Sequence, residues 1–282
     1  MELGGRTCLV TGATSGIGLA AANALAAQGA RLALIARSPE RAEEALRGIR
    51  ARAPAAEVSV HQADLASLAA IRRVAPEILG RHPRIDVLLN NAGVFHLRRR
   101  TTADGFEAMF GVNHLAPFLL TQLLLERLRA TPGARIVNVA SEAHRFGGPL
   151  DFDDLQSERR YRPMSVYGRS KLCNILWTAE LARRLAGSGV TANCCHPGAV
   201  ATRLGQNDAF WTRALGRVLG LLLLTPEQGA RTPVFLTGAP EVAGASGGYY
   251  VKQRERRPAR FAEDPAAARR LWEASEALVG AH

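Results

Sequence analysis

The sequence is short of most features that mark a secreted, metal-binding or membrane-spanning chain. Only four cysteines occur in 282 residues: Cys8, Cys173, Cys194 and Cys195. None has the spacing of a zinc ligand set, so no metal site is expected. Two are adjacent in what reads as a buried strand. All four are expected to be small apolar core residues of a reducing compartment. There is no internal repeat and no low-complexity linker, so a single domain over 1–282 suffices. The longest apolar run, Leu219 to Leu224 with its flanks, is too short to cross a bilayer, and no transmembrane segment is expected. The chain enters a strand by Arg6, which leaves no room for a signal peptide or anchor and predicts a cytoplasmic protein.

Acidic residues are in the minority, 25 against 36 Lys and Arg, for a formal charge of +11. Such a balance suits a nucleic acid, an anionic membrane or a phosphorylated ligand. The positive charge is spread, however, through Arg98-Arg99-Arg100, Arg159-Arg160, Arg183-Arg184 and Arg269-Arg270. No basic face interleaved with aromatics and no nucleic-acid motif accompanies it, so nucleic acid is not an expected partner. Hydrophobic content of 47% and charged content of 22% are ordinary for a folded soluble chain.

Apolar runs alternate with helical segments from end to end. Strand-like stretches start at Thr7, Leu32, Val58, Ile85, Arg135, Thr191 and Gly248. Helices are expected over Ile17 to Gln28, over Pro39 to Arg52 behind a Ser38 cap, from Leu68, and up to about Gly187. Near-continuous apolar strands separated by helices predict an α/β fold: one doubly wound Rossmann-type domain with a seven-stranded parallel sheet and helices on both faces. Ligands of such a fold bind at the carboxyl ends of its strands. The stretch at about 203–225 interrupts the alternation. It is either a lid over the site, an ordinary packing helix or a membrane-surface contact.

The first strand runs into Thr11-Gly12-Ala13-Thr14-Ser15-Gly16-Ile17-Gly18. Glycines there allow a tight turn and let backbone N–H groups approach a pyrophosphate at the positive helix end. Gly12, Thr14, Ser15, Gly16, Ile17 and Gly18 are therefore cofactor-binding candidates. The second strand ends at Arg37, where an acid would hold an unmodified ribose and an arginine accommodates a 2′-phosphate. NADP(H) is the expected cofactor. After the third strand, Asp64-Leu65 either meets the adenine or caps the next helix. After the fourth, Asn91, Ala92 and Gly93 either leave room for cofactor or simply form a turn.

Tyr167 and Lys171 stand four apart at the start of a helix and so share one face. An adjacent ammonium, with the positive ring of an oxidised nicotinamide, would favour phenolate and bring the tyrosine toward working range. Ser141, ending the fifth strand, is placed to donate to a substrate oxygen. Asn113 can hold water or lysine in a proton relay. His144, three residues after Ser141, either lines the pocket or, as the expected reading, is an exposed loop residue.

Taken together, the glycine segment, Asn90-Asn91-Ala92-Gly93, Asn113, Ser141, Tyr167, Lys171 and His196-Pro197-Gly198 resemble the short-chain dehydrogenase/reductase superfamily over essentially the whole chain. That resemblance implies that Tyr167 is the acid/base, that Ser141 orients the carbonyl or alcohol, and that Lys171 binds the nicotinamide ribose. It implies that Asn113 supports the relay and that Pro197, Gly198, Val200 and Thr202 contact the nicotinamide. It also implies homodimers or homotetramers paired through the helices bearing Asn113 and Tyr167. Thr102 to Glu107, Gly111 to Leu115 and Leu271 to Ser275 resemble retinol dehydrogenases in particular. This implies NADP(H)-dependent interconversion of a lipophilic alcohol and its aldehyde or ketone. Reduction of an activated carbon–carbon double bond and a silent dinucleotide sensor are the alternatives.

Overall fold

The computed structural model describes residues 3–200 and 223–280. Thr202 and nearly all of the 203–225 segment lie outside the described residues. Strands β1 (Thr7–Thr11), β2 (Arg31–Ala36), β3 (Val58–Gln62), β4 (Val87–Asn90), β5 (Arg135–Val139), β6 (Thr191–His196), β7 (Tyr249–Val251) and β8 (Arg254–Glu255) form one sheet in the order β3-β2-β1-β4-β5-β6-β7-β8. Every pairing is parallel except β7–β8. The expected seven-stranded parallel sheet thus gains a two-residue antiparallel edge. Lys252 and Gln253, both at positive φ (51° and 60°), turn the chain between the last two strands. That is the backbone of a two-residue hairpin usually signalled by Asn-Gly, and no glycine marks it here.

Side chains alternate across the sheet, and each face is covered. Leu9, Leu88, Ile136 and Cys194 point into one core with α3 (Leu68–Arg81), α4 (Ala108–Arg129), α5 (Pro163–Arg184) and α7 (Pro265–Val279). Cys8, Val10, Leu89, Val137 and Cys195 point into the other with α1 (Gly16–Ala27), α2 (Pro39–Arg52) and α6 (Pro226–Gly238). All four cysteines are buried and free, as expected. Helix starts follow local chemistry. Ser38 accepts the Arg41 N–H ahead of Pro39, Ser67 caps α3, and Thr225 with Gln228 forms a capping box on α6.

Two features bear on the expectations above. A long apolar stretch besides the 219–224 run is α4. Its 22 residues are long and apolar enough to cross a membrane, yet 78% of that window is buried inside the protein, as in a core helix. In addition, α7 lies over α4 and α5. Trp272 packs edge-on to Phe118 (5.1 Å), Arg184 stacks on Trp272 (4.2 Å), and His114 Nε2 meets Ser275 Oγ at 2.8 Å. Pairing of two copies through this face of the Asn113 and Tyr167 helices would have to displace α7.

The sheet order reverses between β1 and β4, the switch point at which a doubly wound fold opens a crevice. The carboxyl ends of β1, β4, β5 and β6 deliver Gly12, Asn91, Ser141 and Pro197 to that crevice.

Candidate active site

The phosphate end is built on close backbone contact. Gly12 has φ of 67°, and a Cβ there would lie 2.9 Å from the Ala92 Cα. A Cβ on Gly18 would collide with the Gly12 carbonyl oxygen and the Asn91 Nδ2. Gly16, at φ of 54°, starts α1. Ser15 occupies the N-cap without donating its side chain to the role, and no acid sits in the first turn. The leading N–H groups of α1, over Gly16, Ile17 and Gly18, therefore have no side-chain cap. That is a cradle for an anion.

Asn91 braces this turn. Its amide donates to the carbonyls of Thr11 (3.0 Å) and Gly12 (3.4 Å). Thr11 Oγ1 in turn accepts the N–H groups of Asn91 (2.9 Å) and Ala92 (3.0 Å). Asn91 is thus more than a turn-former, and Thr11 is a bracing residue that motif reading passed over. On the far side, a Cβ on Gly229 would lie 2.5 Å from Val200 and 3.2 Å from Ile17, so the loop after β6 closes against the glycine turn. Gly198, at φ of 100°, and Pro197 lie in that loop, which Leu224 joins to Ala199 by a 2.8 Å backbone bond. Thr14 lies in the tight β1–α1 connection.

Arg37 directly follows β2 with a side chain 67% exposed, its guanidinium 3.9 Å from Asp64. Asp64 Oδ1 accepts the Ala66 N–H (3.0 Å), while Ser67 caps α3. Asp64 therefore stabilises the turn ahead of the helix rather than capping it. Leu65 is partly buried against the core.

At the chemical end, β5, α4 and α5 converge. Lys171 is buried, and its Nζ donates to the Val139 carbonyl (2.9 Å), 5.7 Å from the centre of the Tyr167 ring. Gly93 is the spacer: a Cβ there would lie 3.4 Å from Lys171 Nζ and 3.3 Å from Asn113 Oδ1. Asn113 sits in a π-helical turn, Gly111–Leu115, in which the Ala116 N–H reaches back to Gly111. Such turns concentrate at functional sites. Its amide is fully engaged, accepting from the Val94 N–H (2.7 Å) and donating to the Val94 carbonyl (3.0 Å) and Ser170 Oγ (2.9 Å). Ser141 accepts the Ala143 N–H (3.1 Å), and its hydroxyl hydrogen-bonds to the Tyr167 phenol. The structure thus brings Asn113, Ser141, Tyr167 and Lys171 to one place.

Burial sets the electrostatics of the protein alone. It pushes the Tyr167 phenol from its ordinary 10.0 up to about 12, with the Ser141 hydroxyl opposing the rise. It pulls the Lys171 ammonium from 10.5 down to about 8. The expected lowering of the phenol therefore does not arise from the lysine alone, because the ammonium is turned to Val139 and both charged forms lose solvation.

Three apolar residues missed by motif reading lie near the chemical ones, one in contact and two close in sequence. Phe95 packs edge-on to Tyr167 at 5.5 Å. Phe146 and Met164 are 66% and 50% exposed, beside Ser141 and one helical turn before Tyr167. Their signal was apolar residues at short intervals from the chemical ones. His144, expected to be exposed, is fully buried.

Comparison with known proteins gives a consistent picture. The short chain dehydrogenase family model matches residues 6–212. Retinol dehydrogenase 13 of Homo sapiens is 44% identical over 98% of this chain and 85% of its own length, and retinol dehydrogenase 14 of Homo sapiens is 43% identical over 98% and 87%. Among solved structures, an uncharacterized protein from Mycobacterium Paratuberculosis superposes with a TM-score of 0.79 at 33% identity, covering 99% of this chain and 95% of that one. A short chain dehydrogenase from Burkholderia cenocepacia J2315, crystallised in complex with NADP, gives 0.70 at 30% identity, covering 88% and 96%.

Proposed function

Since this chain belongs to the short chain dehydrogenase family, we propose that it uses NADP(H) to interconvert a lipophilic alcohol and its aldehyde or ketone. The convergence of Ser141, Tyr167 and Lys171 beside an uncapped, glycine-lined helix start carries this reading. The cofactor supplies or receives the hydride when bound. Gly12 to Gly18 and the start of α1 would hold its pyrophosphate, Arg37 a 2′-phosphate, and Lys171 the nicotinamide ribose. Arginine stands where an acid would repel that phosphate, and a solved relative carries NADP.

In the direction of reduction, Tyr167 gives its phenol proton to the substrate oxygen while Ser141 donates a hydrogen bond to the same oxygen. In oxidation the tyrosine takes the proton back. Asn113 supports the pair by fixing Gly93–Val94 against Lys171. Phe95, Phe146 and Met164 favour an apolar substrate, since burying them against it contributes affinity. Four buried thiols, none paired, favour a cytoplasmic location as part of the same proposal.

A panel of aliphatic, aromatic and hydrophilic carbonyl compounds, assayed with NADPH and with NADH by loss of reduced-cofactor absorbance, tests the proposal. Turnover of apolar substrates with NADPH at the highest kcat/KM is expected. Preference for small hydrophilic carbonyls, or for NADH, would refute the corresponding half.

A further inference from the structure

The turn bearing Ser141 is latched at several points to the carboxyl-terminal part of the chain, and a buried histidine makes the central contact. His144 Nδ1 lies 2.7 Å from the Ser141 carbonyl oxygen, and its Nε2 lies 3.0 Å from the backbone nitrogen of Ala259. A carbonyl only accepts and a backbone N–H only donates, so the ring must carry its proton on Nδ1 and present a lone pair on Nε2. One neutral tautomer satisfies both partners. Around it, Tyr249 donates to Glu142 Oε1 (2.7 Å) and stands edge-on to the imidazole at 5.4 Å. Arg145 donates to Glu142 Oε2 (2.7 Å) and to the Arg257 carbonyl (3.3 Å).

We propose that His144 is a positioning residue for Ser141, holding its carbonyl through Nδ1–H and anchoring the turn to Ala259 through Nε2. This rests on the assignment of Ser141 as the hydroxyl that meets the substrate oxygen. Ser141 is the N-cap of a five-residue 3₁₀ turn, Glu142–Phe146, which bonds back to it only through the Ala143 N–H to its hydroxyl and the His144 N–H to its carbonyl, so contacts outside the turn add to its fixing. Displacement of a reacting group by about 1 Å is enough to lose about a hundredfold in rate. The titratable and charged groups facing the imidazole are Glu142 and Arg145 from its own turn, Tyr249 from β7 and His196 from β6. Protonation would set an Nε2–H against the Ala259 N–H and break the anchor.

The test compares four variants with the wild type in steady-state kinetics and in NADPH binding by fluorescence. His144→Phe keeps a ring and removes both bonds. Its kcat should fall about ten- to hundredfold with NADPH affinity unchanged. His144→Asn, which keeps a donor near the Nδ1 position, should recover a substantial part of that loss. Ala259→Pro removes the backbone donor at a residue whose φ of −65° already suits proline, and its ring Cδ takes the hydrogen's place and forces the imidazole off the anchor. It should lower kcat with NADPH affinity unchanged, and it should remove the contribution of His144 to the acid limb of the kcat–pH profile, because no anchor remains for protonation to break. Wild-type kcat in His144→Phe, equal activity in His144→Phe and His144→Asn, or an unmoved acid limb in Ala259→Pro would overturn the proposal. Should His144→Phe fail to bind NADPH, the Ala259→Pro profile decides. Full activity in Ser141→Ala would instead overturn the site assignment itself.

Discussion

Replacing Lys171 by methionine should abolish turnover while making the protein more stable near neutral pH. The ammonium is buried and pulled from 10.5 down to about 8. At about 1.36 kcal/mol per pH unit, keeping it charged costs the fold about 3 kcal/mol. Methionine has similar bulk and no charge. It forfeits a hydrogen bond to the Val139 carbonyl worth about 1 kcal/mol, although Asn174 still donates to that oxygen at 3.4 Å. A net gain of about 2 kcal/mol follows. The sign with pH is fixed by the depressed value. The stability linked to neutral lysine is complete above 10.5, is lost as pH falls toward about 8, and is constant below that. Wild type and variant should therefore converge on raising the pH. Burial also raises the four thiols, which titrate the opposite way in this range, but they do so in both proteins and largely cancel in the difference. Urea unfolding of both proteins, from neutrality to about the upper value, measures it. A variant less stable than wild type at neutral pH, or a gap that fails to narrow, would refute the reasoning.

Tyr167→Phe should lose at least about a thousandfold in kcat, since the proton donor is removed, with NADPH binding retained in fluorescence titration. Arg37→Asp should weaken NADPH by about ten- to a hundredfold and leave NADH little changed. The new carboxylate also faces Asp64 in place of the present 3.9 Å ion pair, and an unaltered ratio of kcat/KM for the two cofactors would rule out the 2′-phosphate assignment. In Gly18→Ala, helix propensity alone favours alanine by about 1 kcal/mol. The added methyl meets the Gly12 carbonyl, so the clash should win, with NADPH affinity falling and thermal stability reduced by about 1–3 kcal/mol.

The sheet was legible because its parallel strands are buried on both faces and read as near-continuous apolar runs, as Leu32–Ala36 and Val87–Leu89 show. Helix starts were legible wherever a cap is local, as at Ser38. The edge strand β8 was not, because Lys252 and Gln253 make its turn without glycine. Nor was the π turn at Asn113, since α4 is buried on every side around it and an added residue breaks no polar–apolar phase that could be read. One compositional signal at the site went unused. The chain relies almost wholly on arginine for positive charge and has only two lysines, of which Lys171 is one. A guanidinium stays charged when buried, whereas burial brings this ammonium down to about 8, so the two cations are not equivalent at this position.

The histidines illustrate why the remainder stayed hidden. His144 follows Ser141 in a polar segment and locally looks like a loop residue. Its burial is decided by Ala259, 115 residues away, and by the ring of Tyr249. His114, next to Asn113, is likewise buried by α7, where Ser275 gives its own proton to the Leu271 carbonyl (2.7 Å) and must therefore accept from His114 Nε2. Burial brings that imidazole down to about 3, so it stays neutral. Two elements that carry candidate chemistry are thus each tied to the carboxyl-terminal region by one neutral imidazole in one tautomer. Such a bond is specified only when both partners are already in place. Local pattern contains the residues but not the pairing, and the pairing is what fixes the geometry of the site.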